Sequence, residues 1–348
     1  MNAGKKTIDW LFTEQLKVDA EWSVRSPTGF TWWAHRHAQQ VEVTRELEGP
    51  DGEKGYVVRI RTEFLKGPNL QAAGPMLEML MTTPSMSGLV YDPAKNMLYL
   101  SAAVLVHEGI WQWMARMLSV AAMLQISDAH VMANKVAAAV GGTPATSGHP
   151  NSGPRAEPDE LAAEFPSMCY AEGRQPSRWR EAEFDAALRQ FMQRPPAVLA
   201  SGGGAGVTIE FPYGQRTSLC RMNGNEDHPL LGNGLLILQS FPEAHLRKSD
   251  DALRELALQQ NRDELSEDPK GYGFGSYGYR DGCIHFSTFL PNLTYVQGLL
   301  PNLFFQCASR AAHMATVLLN GASSGSSPGQ GPPPQSAMER FLGFFKRR

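Results

Sequence analysis

Alternating apolar and polar positions predict three consecutive β-strands in each half of the chain. The first set lies in "FTWWAHRH" (30–37), "QVEVTRELE" (40–48) and "YVVRIRTEFL" (56–65). The second set lies in "VTIEFPY" (207–213), "RTSLCRM" (216–222) and "NGLLILQSF" (233–241). Such alternation is typical of strands that bury one face. The "GPDG" sequence between the second and third segments predicts a hairpin.

A helix, a hairpin and a long helix are predicted after each set of strands. In the first half they are 68–81, 87–106 with a turn at "DPAKN", and 110–139. In the second half they are 249–265, 271–290 with a turn at "RDG", and 293–319. Ser249 or Asp250 suits the N-cap of the 249–265 helix. Opening helices are predicted over 7–17 and 180–193.

The two halves therefore have the same predicted order of elements. An offset of 186 residues places Tyr91 on Tyr277 and Ser101 on Ser287. We expect an α+β protein of two tandem α-β-β-β-α-β-β-α units, with antiparallel sheets packed by the long helices.

Stretches rich in Gly, Pro and Ser divide the chain. The predicted parts are a first unit (1–140), a linker (141–179), a second unit (180–320), a flexible linker (321–335) and a C-terminal amphipathic helix (336–348).

Composition indicates a globular protein without a nucleic-acid partner. Of the 348 residues, 42% are hydrophobic and 19% charged, and the net charge of -3 offers no basic surface for nucleic acid. Four widely spaced cysteines show no metal-binding spacing and suit a reducing compartment, where cysteine acts as a small apolar residue. The N-terminus lacks the continuous apolar run of a signal peptide. We expect a cytoplasmic protein.

The glycines of "GYGFGSYGYRDG" match the spacing of a dinucleotide-binding loop but not its context. Gly273, Gly275 and Gly278 follow a predicted helix and lead into a strand. A dinucleotide loop needs its glycines between a strand and a helix, where the helix N-terminus meets the pyrophosphate. We therefore expect a strand with a glycine face, or a bulged edge, and no bound nucleotide or other cofactor.

Other chemically active residues occur without the partners that their chemistry requires. His35 and His37 would share one face of a strand, but the sequence offers no third zinc ligand beside them. Glu264, Glu267 and Asp268 are interpreted as the solvated end of a helix. No catalytic nucleophile or phosphate-binding loop occurs in its proper context, so we expect no enzymatic activity.

Partner-binding candidates occur at three places in the sequence. Trp32 and Trp33 form an aromatic pair, and a Met-rich segment (75–88) offers adaptable side chains, although methionines that fill a core would give the same pattern. The tail "QSAMERFLGFFKRR" would form a helix with one apolar face and a basic end. Its candidate residues are Met338, Phe341, Leu342, Phe344 and Phe345.

The tail leaves three alternatives open. Attached through a Pro/Gly/Ser tether, it suits binding to a protein partner. Its basic end would also suit an anionic membrane surface, and docking onto its own domain is the third alternative. "QSAMERFL" also resembles a sliding-clamp-binding box, but Leu342 stands where that box has a second aromatic residue.

Two hairpins, each taken with the helix that follows it, resemble the type III secretion chaperone-like fold, including the YbjN-type domains. The hairpins are "YGYRDGCIHFSTFLPN" and "LVYDPAKNMLYLSAAVLV". The resemblance covers about residues 7–140 and 180–320. It implies a non-enzymatic chaperone or adaptor that binds extended segments of client proteins and is a monomer or a homodimer. The tail departs from that pattern. The alternative is a regulatory or structural subunit of a larger assembly, recruited through the C-terminal helix.

Overall fold

The computed structural model describes residues 1–48, 52–70, 74–169, 175–192, 205–213, 216–228, 231–242, 249–269 and 272–320. Its helices are α1 (Ala3–Trp10), α2 (Gly74–Thr82), α3 (Trp111–Val140), α4 (Glu160–Cys169), α5 (Glu181–Met192), α6 (Asp250–Arg262) and α7 (Leu299–Asn320). Short π-helices follow α1 (Leu11–Gln15) and α6 (Asp263–Glu267).

The strands of the first half, with the short strand that follows α3, are β1 (Ser23–Arg25), β2 (Gly29–Trp32), β3 (Gln39–Glu48), β4 (Lys54–Lys66), β5 (Gly88–Asp92), β6 (Met97–Val106) and β7 (Thr143–Pro144). Those of the second half are β8 (Gly206–Tyr213), β9 (Arg216–His228), β10 (Gly232–Pro242), β11 (Tyr272–Gly273), β12 (Ser276–Arg280) and β13 (Cys283–Pro291). The α+β class is confirmed.

Local sequence signals explain several element boundaries. Ser249 is the N-cap of α6, and its side chain accepts a hydrogen bond from the backbone N–H of Ala252. The β12–β13 turn consists of Asp281 and Gly282, with φ angles of 52° and 75°. Positive φ at both central residues is the requirement of the hairpin turn that Asp-Gly favours.

Both halves arrange their strands in the same order. In the first sheet β2, β3, β4, β6 and β5 are successive neighbours, and in the second β8, β9, β10, β13 and β12 are. Ser101 pairs with Gly88 in the first sheet, and Ser287 pairs with Ser276 in the second. The 186-residue offset sets the start of β6, Met97, on the start of β13, Cys283. It becomes 188 for β5 and β12, because the second turn is two residues shorter, so the predicted match of Tyr91 with Tyr277 is wrong. A repeat origin of the two units stays a prediction.

The segment "GYGFGSYGY" does not form one strand but passes from one sheet to the other. Gly273 in β11 pairs with Ala103 of the first sheet, whereas Ser276 in β12 pairs with Ser287 of the second. Gly275 lies between them with φ of 124°, a conformation that side chains disfavour. The expectation of a single strand with a glycine face is corrected: the glycines allow the backbone to change sheets.

The first half makes the reciprocal contact. The backbone N–H of Phe289 donates to the carbonyl of Ser85, just before β5, over 3.4 Å. The helices cross over in the same way: α2 packs against β12 and β13, while α6 and the π-helix after it pack against β5 and β6. Each half thus contributes a segment that pairs with the sheet of the other half, and these pairings join the two halves.

A buried glutamine ties each sheet to its long helix. The side-chain amide of Gln39 donates to the carbonyl of Ala122 in α3 over 2.9 Å, and that of Gln239 donates to the carbonyl of Cys307 in α7 over 2.8 Å. Both glutamines are completely buried. One continuous apolar core extends across both halves, and these bonds fix how the helices lie on it.

Part of the predicted linker 141–179 is packed against the first half. Strand β7 pairs with the end of β4, and Ala145 donates its N–H to the carbonyl of Phe64 over 2.9 Å. Asp159 donates its N–H to the carbonyl of Ala34 over 2.7 Å, and α4 then packs on α3. The Gly/Pro-rich composition indicates few core side chains, but it does not exclude backbone pairing with a sheet edge.

In the described part of the chain, none of the helices combines the length and apolar character that a membrane span requires.

Candidate functional site

The predicted tryptophan pair belongs to the core. Trp32 is completely buried and donates its indole N–H to the side-chain carbonyl of Gln39 over 2.8 Å. Trp33 is 7% exposed and donates to the hydroxyl of Ser147 over 3.1 Å. In this conformation neither ring is available to a partner. The tail residues Met338, Phe341, Leu342, Phe344 and Phe345 lie outside the described residues.

The Met-rich segment is mainly part of the core as well. Leu77, Met81 and Met86 are buried, while Met79 is 49% exposed. The alternative of core-filling methionines fits Met81 and Met86.

His35 and His37 acquire a neighbour that the sequence did not indicate. The ring of His35 lies 4.6 Å from that of His130 in α3, measured between centroids. Burial lowers the pKa of His35, and His130 lowers it further. Within the described ranges, His, Cys, Asp and Glu side chains form no group of three or more suited to hold a metal ion. The histidines instead lie where residues 145–159 pack against the first half.

The expectation of a solvated helix end is wrong for Glu264. This carboxylate pairs with Arg310 of α7 at 2.5 Å, and each side chain is only 2% exposed. Tyr277 donates its hydroxyl to the same carboxylate over 2.7 Å, and the guanidinium of Arg310 lies 3.6 Å from the centroid of the Phe286 ring. Burial alone would raise the pKa of Glu264, but Arg310 and Tyr277 outweigh it and hold that pKa below its ordinary value. Both ion partners are enclosed, so this cluster joins the π-helix after α6 to β12 and α7.

The outer face of the first sheet carries polar side chains that pair with one another. Arg59 forms an ion pair with Glu42 at 2.5 Å, and Arg61 donates to the side-chain carbonyl of Gln40 over 2.8 Å. The guanidinium of Arg61 also lies 4.8 Å from the centroid of the Tyr99 ring. Most of the polar capacity of this face is therefore used within the sheet.

The outer face of the second sheet is apolar where the first is charged. The strand register places Leu219, Leu236 and Leu238 on this face, beside Arg221 and Ser240. Leu219 is 43% exposed, and the other two leucines are half-buried. Among the described residues, helix α2 packs on β12 and β13 of this sheet. We call Leu219, Leu236 and Leu238 the leucine surface.

Strand β8 forms an edge next to the leucine surface. It pairs with β9, and among the described residues no strand pairs with its other side. Val207, Ile209 and Phe211 point into the core, whereas Glu210 is exposed and lies opposite Leu219. Pro212 has no N–H, so it occupies a position of β8 that donates no hydrogen bond to β9. Glu210 and Thr208 lie two and four residues before it in the strand. Their N–H groups therefore also point away from β9. An open edge with free backbone groups is a template for an added strand.

Sequence reasoning did not find this site. Leu219, Cys220 and Arg221 follow an ordinary strand alternation, and nothing in it shows which face a second layer will cover. The contrast with Arg59 and Arg61 becomes visible only when the two sheets are aligned by their strand pairings.

Comparisons of the chain with protein-family models, with curated proteins and with solved structures found no match. The resemblance to type III secretion chaperone-like domains therefore stays a prediction.

Proposed function

We propose that the protein is a non-enzymatic, cytoplasmic chaperone or adaptor that holds an extended segment of a client protein. The client strand adds to β8, and some of its side chains reach the leucine surface. The single observation that carries this proposal is the open edge of β8 beside a 43% exposed Leu219.

Two physical contributions support binding at this place. Backbone hydrogen bonds to a sheet edge give affinity for extended segments without demanding a particular sequence. Burial of leucine side chains adds about 25 cal/mol for each Å² of apolar surface removed from water. Arg221 and Glu210 flank the leucines and provide charges at the rim, where charge pairs mainly select among partners.

The connection between the halves supports a holding function. Client binding requires an edge that keeps its position, and the reciprocal pairings of Gly273 with Ala103 and of Phe289 with Ser85 join both sheets into one body. The arrangement resembles a dimer built within one chain, so a monomer is our first expectation for its assembly.

A pair of matched variants tests the proposal. Leu219→Asp places a charge in the leucine surface, and Leu293→Asp places the same charge on a leucine of 44% exposure outside that surface. Each tagged full-length variant is expressed in the native host, and co-purifying proteins are identified by mass spectrometry. We expect Leu293→Asp to recover clients at the wild-type level. Leu219→Asp should recover about tenfold less of the same clients, which corresponds to a loss of at least about 1.4 kcal/mol in binding free energy. Equal recovery with both variants would contradict the proposal.

Deletion of residues 322–348 separates the alternative function. A chaperone that uses β8 keeps its client without the tail, whereas a subunit recruited through the C-terminal helix loses its assembly. Substitution of Phe341 and Phe345 by Ala should then weaken recruitment by a protein more than neutralising Lys346, Arg347 and Arg348. The opposite ranking would indicate a membrane surface.

A further inference from the structure

Residues 145–159, which we call the strap, are held against the first half by backbone hydrogen bonds. The N–H of Ser147 donates to the carbonyl of Arg36 over 2.8 Å, and the N–H of Asp159 donates to the carbonyl of Ala34 over 2.7 Å. The residue between the two accepting carbonyls is a histidine, and a second histidine follows them. The strap is therefore fastened on both sides of a titratable side chain.

His35 and His37 are buried at this attachment, with exposed fractions of 8% and 6%. The ring of His35 lies 4.6 Å from that of His130 in α3, measured between centroids. The Nδ1 atom of His37 lies 2.9 Å from the carbonyl oxygen of Glu63 in β4, and His37 pairs with Thr146 of the strap. Because a carbonyl oxygen only accepts, Nδ1 carries the proton of the neutral ring, and a second proton would charge a buried group.

We propose that these histidines make the strap a pH-sensitive element, which detaches from the first half in mild acid while the two sheets stay folded. Protonation of His35 and His130 would place like charges on two rings whose centroids are 4.6 Å apart. Protonation of His37 would add a charge that burial disfavours. Detachment exposes the rings to water and reduces both penalties. The strap belongs to the first half and β8 to the second, so this release is independent of client binding.

The neighbours of His35 disfavour its protonated form. Burial lowers the pKa of His35 most, and His130 and Arg36 lower it further. The backbone of Ala156 and the carboxylate of Glu157, both in the strap, raise that pKa but are outweighed. Glu157 is exposed, so water and salt screen its charge.

His37 has the same preference for the neutral form. Burial lowers the pKa of His37 most, and the hydrogen bond with the Glu63 carbonyl offsets only part of this effect. The charges of His130, His35 and Arg36 lower that pKa further. With the strap detached, the ordinary pKa of 6.5 applies to both rings. The detached form therefore binds protons first, so attachment is strongest above pH 6.5 and weakens as pH falls below it.

Nearby carboxyl groups act in the opposite sense. Burial raises the pKa of Asp159 in the strap, of Glu63 in β4 and of Asp128 in α3, so falling pH stabilises the folded form through these groups. In the strap itself, Arg155 pairs with Asp159 at 3.3 Å and keeps its charge. A loss of attachment in mild acid is therefore an effect of the histidines.

The strap can detach without the core because few of its side chains are buried. Within residues 145–159 the buried ones are Ala145, His149 and Asp159, and of these Ala145 alone is apolar. Segments with few buried apolar contacts open at a lower free energy than the core. The strap is anchored at its end by α4, where Phe165 is buried.

The test measures amide hydrogen exchange of the full-length protein at about pH 7.5 and about pH 5.5, with each rate divided by the rate of the unfolded chain at the same pH. We expect the protection of the Ala145, Ser147 and Asp159 amides to fall about tenfold at the lower pH, while that of β10 stays unchanged. His130→Gln changes an exposed residue and should reduce this loss to about threefold, because one of the like charges is removed. His107→Gln, on a partly exposed histidine between β6 and α3, is the matched control and should keep the wild-type loss.

Three results would overturn the proposal. One is equal protection of the strap at both pH values, and another is a joint loss of protection in the strap and β10, which would be unfolding of the whole protein. The third is an undiminished loss in His130→Gln. The wild-type comparison decides the question without any variant, should a substitution impair folding.

Discussion

Arg310 and Glu264 form an ion pair of 2.5 Å with each side chain only 2% exposed. The pair links α7 to the π-helix after α6, and that π-helix packs against β6 of the other half. The hydroxyl of Ser101 in β6 donates to the carbonyl of Leu265, the next residue, over 2.7 Å. A charge pair in the core of the second half thus fixes the segment that contacts the first.

Replacing Glu264 by Gln should destabilise the protein strongly, because Arg310 would remain charged and buried without a counterion. We expect a loss of about 3–5 kcal/mol in the free energy of unfolding, measured by denaturant titration. Glu267→Gln is the control, since Glu267 is 53% exposed in its pair with Arg262 and should change stability by about 1 kcal/mol or less. Equal effects of the two substitutions would show that the buried pair does not stabilise the fold. In the double variant Glu264→Gln/Arg310→Met the loss should be smaller than the sum of the single losses.

Asp128 in α3 should make stability depend on pH. Burial raises its pKa from 3.8 to about 6, so its charged form is disfavoured in the folded protein. The folded state then binds more protons than the unfolded state between these values, and this residue's contribution to stability falls as pH rises from about 4 to about 6. Asp128→Asn should therefore increase the free energy of unfolding at pH 7 by on the order of 2 kcal/mol, which a higher melting temperature would show. Near pH 4 the substitution should have little effect. Asp185→Asn, at an exposed position, is the control. A gain from Asp128→Asn that is equal at both pH values would contradict the shifted pKa.

Gly275→Ala should impair the crossing of the chain between the sheets. Gly275 has φ of 124°, and a methyl group there would overlap the backbone of Ser287 and meet Phe286 and Thr288 at 2.7 and 2.8 Å. Gly298 also has a positive φ, of 86°, but has open space around its Cα. Gly298→Ala is therefore the control for backbone strain without steric overlap. We expect Gly298→Ala to cost about 1–2 kcal/mol and Gly275→Ala at least about 1 kcal/mol more, in thermal or denaturant unfolding. The same cost at both positions would mean that the crossing tolerates a side chain.

Local signals in the sequence predicted most of the elements but not their partners. Ser249 capped a helix and Asp281-Gly282 turned a hairpin as expected, because both effects act within a few residues. The split of "GYGFGSYGY" between two sheets was missed, since a strand pattern does not state which strand will be its neighbour. The Glu264–Arg310 pair was missed for the same reason: only the packing of α7 brings its two residues together.

The edge of β8 offers a variant that removes one backbone hydrogen-bond donor. Thr208→Pro removes an N–H that points away from β9 and keeps the pairing of β8 with β9, whereas Thr208→Ala changes the side chain and keeps the N–H. In the co-purification experiment we expect Thr208→Pro to lose the client about tenfold and Thr208→Ala to retain it. Loss with both variants would assign the effect to the threonine side chain.

Hydrogen exchange of the β8 amides, with and without the co-purified client, tests the central claim most directly. If the client adds a strand to this edge, the amides of Thr208 and Glu210 should exchange at least about tenfold more slowly in the complex, because they gain hydrogen-bond partners. Unchanged exchange at Thr208 and Glu210, with protection appearing only in residues 336–348, would contradict the account and favour recruitment through the C-terminal helix.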